Sequence, residues 1–180
     1  MSDSSRPTPP SAHVRMPGDG WVNCRCGNKH WGLNGAAGLF LARKNSRGEW
    51  SDVVLQHRAL WSHQGGTWGI PGGALMDGET AHDAAVREAH EEAGIDKAHV
   101  VRLGSHVFSH ADWSYTTIIA ESTDPHMRVH PTDAESLEIQ WVPLTNIVAA
   151  LNSQHPDLRL LPAFAHAFPS LYAVLKNSTH

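Results

Sequence analysis

Residues 73–95 read Gly-Ala-Leu-Met-Asp-Gly-Glu-Thr-Ala-His-Asp-Ala-Ala-Val-Arg-Glu-Ala-His-Glu-Glu-Ala-Gly-Ile, a pattern typical of a loop followed by a helix. Thr80 is a natural helix N-cap, and Asp83 three residues later completes a capping-box pattern. No helix breaker occurs over 81–93, and Gly94 stands where a left-handed C-terminal cap belongs. The stretch therefore predicts a helix over 81–93.

The predicted helix carries three carboxylates on one face. Glu88, Glu91 and Glu92 are spaced i, i+3 and i+4, which places them within roughly 100° of arc. Such a cluster repels itself unless a cation lies beside it, and Arg87 can pair with only part of it. Hard divalent cations such as Mg²⁺ or Mn²⁺ prefer oxygen-rich sites of this kind. The spacing alone is equally compatible with a solvated acidic face.

The wider pattern around the carboxylates resembles the Nudix box. Gly73 is followed after five residues by Glu79, and after seven more by residues 87–95, Arg-Glu-Ala-His-Glu-Glu-Ala-Gly-Ile. Ala89 is the one soft position, since the family more often has a larger aliphatic residue there. Residues 68–72, Trp-Gly-Ile-Pro-Gly, are similar to the family's usual lead-in. Residues 20–180 are therefore identified as a single Nudix hydrolase domain.

The resemblance implies an α/β fold, an α/β/α sandwich around a mixed β-sheet. It also implies hydrolysis of a nucleoside diphosphate linked to another moiety, with Mg²⁺ as cofactor and Mn²⁺ as a substitute. A backbone carbonyl of Gly72 or Gly73 would add one oxygen ligand. The metal ligands implied are Gly73, Glu88, Glu91 and Glu92.

Further residues would complete the catalytic machinery. Arg87 would pair with Glu79 or Glu88 and hold the carboxylates in position. Members of the family often supply one more carboxylate from the approach to the last strand, and Glu135 is the first candidate here, with Glu138 second. The general base is one of the box glutamates or lies in the Glu135 region.

Candidate substrate-binding residues lie outside the box. In related proteins a basic residue at the end of the strand predicted over 53–58 often faces the substrate's phosphates, which indicates Arg58 first and His57 second. Arg58 is also compatible with an edge-strand surface position. Trp61, in a loop rich in tryptophan and glycine, could stack a base, and Asp112 and Trp113 lie in a loop that could contact substrate. Trp113 is equally compatible with capping an edge of the core.

The substrate is less well defined by the sequence. One group of ADP-ribose hydrolases has a proline past the box where this chain has His110, and the NADH-type motif and its paired zinc cysteines are absent. A nucleoside triphosphate, including an oxidised one, giving a nucleoside monophosphate and pyrophosphate, is the leading expectation. ADP-ribose and other sugar nucleotides come next. A non-catalytic nucleotide-binding or regulatory module is the alternative of another class, although no box glutamate is lost.

Cys24, Cys26 and His30 are three candidate zinc ligands near the N-terminus. A structural zinc site needs four ligands, usually from paired Cys-x₂₋₄-Cys elements, and the second pair is missing. The sequence therefore favours two reduced thiols beside a short hairpin.

The composition fits one globular domain. The chain has 180 residues, 41% of them hydrophobic, and a formal net charge of −4, which argues against a general nucleic-acid coat or a basic membrane anchor. The N-terminus lacks the apolar stretch of a secretory signal, and no apolar run approaches the ~20 residues that span a bilayer. Residues 1–19, rich in Ser, Pro and Thr, predict a disordered tail. We expect a cytoplasmic protein whose partner is a small nucleotide, and a homodimer is compatible with the family.

Overall fold

The computed structural model describes residues 16–178. Residues 1–15 of the predicted disordered tail lie outside this range. Residues 16–19, which the prediction also assigned to the tail, form a turn in which the amide of Asp19 donates to the carbonyl of Met16 at 3.0 Å. The carbonyl of Gly18 accepts from the amide of Leu33 at 2.9 Å, so this turn is tied to the following hairpin. The folded part therefore begins earlier than the sequence indicated.

Within the described residues the chain alternates strands and helices. The strands are β1 (Trp21–Asn23), β2 (Lys29–Trp31), β3 (Ala36–Lys44), β4 (Trp50–Arg58), β5 (Trp68–Gly69), β6 (Gly72–Ala74), β7 (Val100–Ser109), β8 (Ser114–Ser122) and β9 (Ser136–Pro143). The helices are α1 (Ala81–Ala93), α2 (Leu144–Leu151) and α3 (Pro162–Asn177), with a short 3₁₀ turn at Lys97–His99. The predicted helix over 81–93 has the bounds of α1.

Most strands join one mixed sheet. Its order is β5-β4-β3-β8-β7, while β6 pairs with β3 and β9 pairs with β4. The central pair β3–β8 is parallel, and the other pairs in the sheet are antiparallel. Strands β1 and β2 form a separate antiparallel hairpin.

Helices cover both faces of this sheet. On one face, α1 packs its alanines, Ala84 and Ala89 among them, against Leu39 and Leu41 of β3. On the other face, Phe164 and Phe168 of α3 pack with Phe40 of β3. Alternate residues of a strand point to opposite faces, so β3 supplies both halves of the core. The predicted α/β/α sandwich around a mixed sheet is confirmed.

The ends of α1 are set by its own sequence. The Thr80 hydroxyl accepts a hydrogen bond from the amide of Asp83 at 3.1 Å, as an N-cap does. Gly94 has a φ of 67° and donates its amide to the carbonyl of His90, which ends the helix. Among the helices of residues 16–178, none is long and apolar enough to cross a membrane.

Candidate active site

The most buried carboxylate of the chain's described part belongs to Glu92. Its side chain lies between α1 and β6, the residue is only 4% exposed, and its Oε2 accepts from the amide of Gly72 at 3.0 Å. Burial raises the pKa of Glu92 well above the usual range, and the charges of Glu88 and Glu135 add to this rise. Gly72 meets this carboxylate with its amide, whereas the sequence analysis considered its carbonyl as a metal ligand.

Glu88 lies one turn earlier on α1 and faces Gly73. Burial raises the pKa of Glu88 to about 7, although Arg87 opposes the rise. A Cβ atom on Gly73 would lie 2.6 Å from Cδ of Glu88, closer than real contacts allow. Gly73 therefore makes room for the carboxylate, which explains why a glycine stands at this position.

Arg87 clamps the carboxylates from one side. Its Nε donates to Glu79 Oε1 at 2.8 Å, and its Nη1 donates to Glu88 at 2.8 Å and to Glu91 at 3.2 Å. The bond from Arg87 holds the pKa of Glu79 below its ordinary value. Arg87 also donates to the carbonyl of Ala74 at 3.1 Å, which ties the loop before α1 to the helix. The guanidinium fork suits such a role because its donors are fixed in one plane.

The donor set fits a hard divalent cation. Glu88, Glu91 and Glu92 offer only oxygen atoms, and burial raises the pKa values of Glu88 and Glu92, so a bound cation would favour their ionised forms. Arg87 draws Glu88 and Glu91 towards itself, while Glu92 turns to Gly72. The three carboxylates line one region, but their oxygens do not all come within 4.8 Å of one another. The ligand atoms of Cys24, Cys26 and His30, described below, do lie within that distance.

The loop before β9 brings Glu135 to the same region. The amide of Thr132 donates to the carbonyl of Glu92 at 3.2 Å, and the carbonyl of Glu135 accepts from the amide of Ala59 at 2.9 Å. The loop thus runs from the end of α1 to the end of β4. The negative charge of Glu135 helps to raise the pKa of both Glu88 and Glu92, which indicates that its carboxylate lies near them.

His57 and Glu138 lie elsewhere. The His57 ring stacks on Trp68 with centroids 4.5 Å apart and an interplanar angle of 7°, on the face covered by α2 and α3. Glu138 is half-exposed on β9, and its Oε2 lies 3.8 Å from Nδ1 of His57. The structure therefore does not bring either residue to the glutamates of α1.

Arg58 points differently from its neighbour. The pairing of β4 with β9 shifts register between His57 and Arg58, and Nε of Arg58 donates to the carbonyl of His63 at 3.0 Å. The charge of Arg58 acts on Tyr115, whose hydroxyl is also affected by Glu88 and Glu92. Arg58 is therefore the substrate-binding candidate whose charge acts on a residue, Tyr115, that the carboxylates of Glu88 and Glu92 also affect.

Tyr115 was not among the predicted site residues, although the charges of Glu88 and Glu92 act on its hydroxyl. A side chain on either Gly38 or Gly72 would collide with its hydroxyl, so the tyrosine fills the space that these glycines leave. Burial raises the pKa of the Tyr115 hydroxyl, and the charges of Glu92 and Glu88 add to this effect. The two glycines in strands were the signal available, but the sequence does not show which side chain occupies the gap.

The three remaining candidates lie on surface segments. Trp61 is partly exposed in the turn after β4. Trp113 stacks on His30 with centroids 4.4 Å apart, and Asp112 accepts from the amide of Arg25 at 2.7 Å. The defined contacts of Asp112 and Trp113 thus join their loop to the hairpin β1–β2 rather than to the glutamates.

Comparison with known proteins agrees with the box. The family model of the NUDIX domain matches residues 33–164. The chain belongs to the Nudix family. The resemblance identified from the sequence is confirmed, and members of this family generally use divalent metal ions.

Named relatives cover most of this Nudix chain. It is 46% identical over 170 residues to the "Nucleoside triphosphate pyrophosphatase/Nudix hydrolase fusion protein" of Bifidobacterium longum, a match that covers 93% of the chain but only 33% of that protein. It is 43% identical to "Putative 8-oxo-dGTP diphosphatase 3" of Mycobacterium tuberculosis, over 89% of the chain and 72% of that protein.

A solved structure matches as well. The Nudix hydrolase RenU of M. smegmatis is 40% identical, with a TM-score of 0.70 over 89% of this chain and 96% of that one. The expected enzyme class, a hydrolase acting on phosphoanhydrides, is the class to which these relatives' names belong.

Proposed function

We propose that this Nudix chain is a metal-dependent pyrophosphohydrolase that cleaves the phosphoanhydride of a nucleoside diphosphate linked to another moiety. The leading substrate class is a nucleoside triphosphate, including oxidised forms, with a nucleoside monophosphate and pyrophosphate as products. Its ion is Mg²⁺, for which Mn²⁺ can substitute.

The observation that carries this proposal is the pair of carboxylates at Glu88, which is partly buried, and Glu92, which is buried. Their raised pKa values mean that the folded chain pays a penalty for ionising both, a penalty that a bound cation would offset. A pyrophosphate is itself multiply anionic, so an acidic pocket can bind it only through cations. Both the carboxylate oxygens of the site and the negative charge of the substrate therefore call for a bound divalent cation.

Each residue has a role under this proposal. Glu88, Glu91 and Glu92 hold Mg²⁺, which when bound offsets phosphate charge and lowers the pKa of a coordinated water. Arg87 orients these carboxylates through its bonds to them. Glu135, whose charge acts on Glu88 and Glu92, is the candidate for the base that takes a proton from the attacking water, together with the box glutamates.

The substrate-side roles are assigned to residues around this cluster. Arg58 is the candidate for holding phosphates, because its charge acts on Tyr115, which the charges of Glu88 and Glu92 also affect. Trp61 is the candidate for stacking the base. The Mycobacterium tuberculosis relative, named for 8-oxo-dGTP, supports an oxidised nucleoside triphosphate as the first substrate to test.

A substrate panel tests the proposal. Release of phosphate or pyrophosphate would be measured with nucleoside triphosphates, oxidised deoxynucleoside triphosphates, ADP-ribose, sugar nucleotides and dinucleoside polyphosphates, each with Mg²⁺, Mn²⁺ or EDTA. We expect metal-dependent turnover of a triphosphate, most of which is lost in Glu92→Gln. Glu49→Gln is the control, because that carboxylate is exposed and pairs only with its turn neighbours.

Two outcomes would contradict the proposal. If the chain preferred ADP-ribose or a sugar nucleotide, the proposed substrate class would be wrong, but the proposed hydrolysis of a phosphoanhydride would stand. No turnover by a folded chain with any substrate, with nucleotide binding retained, would support a binding module instead.

A further inference from the structure

A second cluster of metal-ligating atoms lies outside the glutamate site. Each of Cys24, Cys26 and His30 offers a ligand atom, and these atoms all lie within 4.8 Å of one another. Sγ of Cys26 is 3.2 Å from Nε2 of His30. Both cysteines are free thiols. The proposed hydrolysis uses none of these three side chains.

The backbone of the β1–β2 hairpin brings the donors together. The amide of Cys24 donates to the carbonyl of Asn28 at 3.0 Å, and the amide of Gly27 donates to the carbonyl of Cys24 at 3.0 Å. Gly27 has a φ of 91°, a conformation that a side chain would disfavour. This tight turn therefore returns the chain so that His30 meets the two thiols. The donors converge through backbone geometry and need no rearrangement of the hairpin.

Residues from another part of the chain fix the orientation of the donors. The amide of Asp112 donates to Sγ of Cys24 at 3.4 Å. Trp113 stacks on the His30 ring with centroids 4.4 Å apart and an interplanar angle of 9°. Arg25, between the cysteines, forms a 2.8 Å ion pair with Asp112. Contacts of this kind, to the ligands rather than to the ion, are what orient the ligands in protein metal sites.

The chemistry of the donors selects the ion. Sulfur and imidazole ligands are poor partners for Mg²⁺ but good ones for Zn²⁺, which takes four ligands in a tetrahedral arrangement. Two thiolates would balance the charge of the ion, and the exposed Cys26 leaves the cluster open to solvent. We propose that Cys24, Cys26 and His30 bind one Zn²⁺ ion, with a water molecule as the fourth ligand.

The sequence argued against a zinc site because it lacks a second cysteine pair. In the structure, however, the ligand atoms of Cys24, Cys26 and His30 lie close together, which favours such a site. The cysteines are separated by a single residue, closer than in the usual paired elements. Spacing rules describe frequent solutions, whereas ligand atoms that already lie together satisfy the physical requirement directly.

The ion would cross-link the turn that carries its three protein ligands. It would join the two ends of the turn between β1 and β2, where Asp112 contacts Cys24 and Trp113 stacks on His30. The loop 109–114 that carries these two residues also lines a surface cavity of about 300 Å³ together with Leu33, Asn34 and Gly35. Zinc would thereby hold the hairpin on one wall of this cavity.

Metal binding to the full chain tests the proposal without reference to hydrolysis. The protein would be reduced, stripped with a chelator and titrated with Zn²⁺ in excess Mg²⁺, and the bound metal would be counted. We expect one zinc per chain. With Co²⁺ as a probe, we expect an intense near-ultraviolet band from thiolate-to-metal charge transfer and visible bands of tetrahedral strength. Substoichiometric zinc without the charge-transfer band would overturn the proposal and leave two reduced thiols.

Variants assign the ligands. Cys26→Ser and His30→Asn should each weaken zinc binding at least about tenfold, since even changes to residues around a site cost 10–100-fold. Cys26 is exposed, so its serine variant should fold, which circular dichroism would check. His126→Asn is the matched control, because His126 is exposed and does not belong to the ligand set. Unchanged affinity in Cys26→Ser, or lost affinity in His126→Asn, would overturn the assignment.

Discussion

Replacing Glu88 with Gln should remove a pH dependence from the stability of the metal-free protein. The pKa of Glu88 is raised from an ordinary 4.5 to about 7 in the folded chain, chiefly by burial. A raised pKa means that folding favours the protonated carboxyl. Its contribution to stability is therefore fully present below about pH 4.5 and is lost as the pH rises through about 7.

The magnitude follows from the shift. Each unit of pKa corresponds to about 1.4 kcal/mol, so the full shift corresponds to about 3 kcal/mol. Between about pH 5 and pH 8 the linkage expresses most of this, and the 17% exposure of the side chain reduces it through solvent screening. We therefore expect the stability of Glu88→Gln, relative to wild type, to rise by about 2 kcal/mol over that range.

Urea unfolding in EDTA at a series of pH values would measure the difference. Histidine titrations affect both proteins alike and cancel in the comparison. Glu49→Gln, which removes a carboxylate that is 58% exposed, serves as control and should show no such trend. A difference between Glu88→Gln and wild type that stays flat with pH, or falls, would refute the reasoning. Added Mg²⁺ at about pH 8 should stabilise the wild type more than the variant.

Three further substitutions test the architecture of the site. Arg87→Lys loses the planar fork and should lower kcat/KM about 10–100-fold at saturating Mg²⁺, and a rate within about threefold of wild type would contradict the clamp. Gly73→Ala places a Cβ 2.6 Å from Cδ of Glu88, so the Mg²⁺ concentration that gives half-maximal rate should rise about tenfold. If this Mg²⁺ concentration were unchanged, the contact would not matter for metal binding. Gly94→Ala forces a side chain to a φ of 67° beside His130 and should lower the free energy of unfolding by about 1 kcal/mol. An unchanged free energy of unfolding in urea denaturation would contradict this prediction.

The sequence predicted those parts of the fold that local chemistry determines. The bounds of α1 follow from Thr80 and Gly94, which lie next to the residues they cap. The strand predicted over 53–58 lies within β4, where Val53, Val54 and Leu55 form a buried apolar run. The short strands β5 and β6 were not predicted, because two or three residues show no periodicity and their pairing depends on β4 and β3, which are distant in sequence.

Side-chain direction limited prediction of the site. A contact of Arg87 with Glu79 or Glu88 was expected, because the box fixes their spacing, and the structure contains both contacts. The stacking of His57 on Trp68 was not, because it depends on which face of β4 the imidazole occupies. Tyr115 was not predicted for a similar reason. Its hydroxyl fills a gap left by Gly38 and Gly72 on other strands, and the sequence does not show which side chain fills that gap.

The parallel pairing of β3 with β8 has a consequence for how the site comes into existence. The residues between these strands, 45–113, include α1, the loop that Arg87 ties down, and β6. A parallel pair requires a long crossover, and the entropy of closing that loop must be offset before distant contacts stabilise the chain. Such non-local topologies belong to the slower folding regime. Helix α1 has caps from its own sequence, whereas Glu92 gains the amide of Gly72 only when β6 has been positioned against β3.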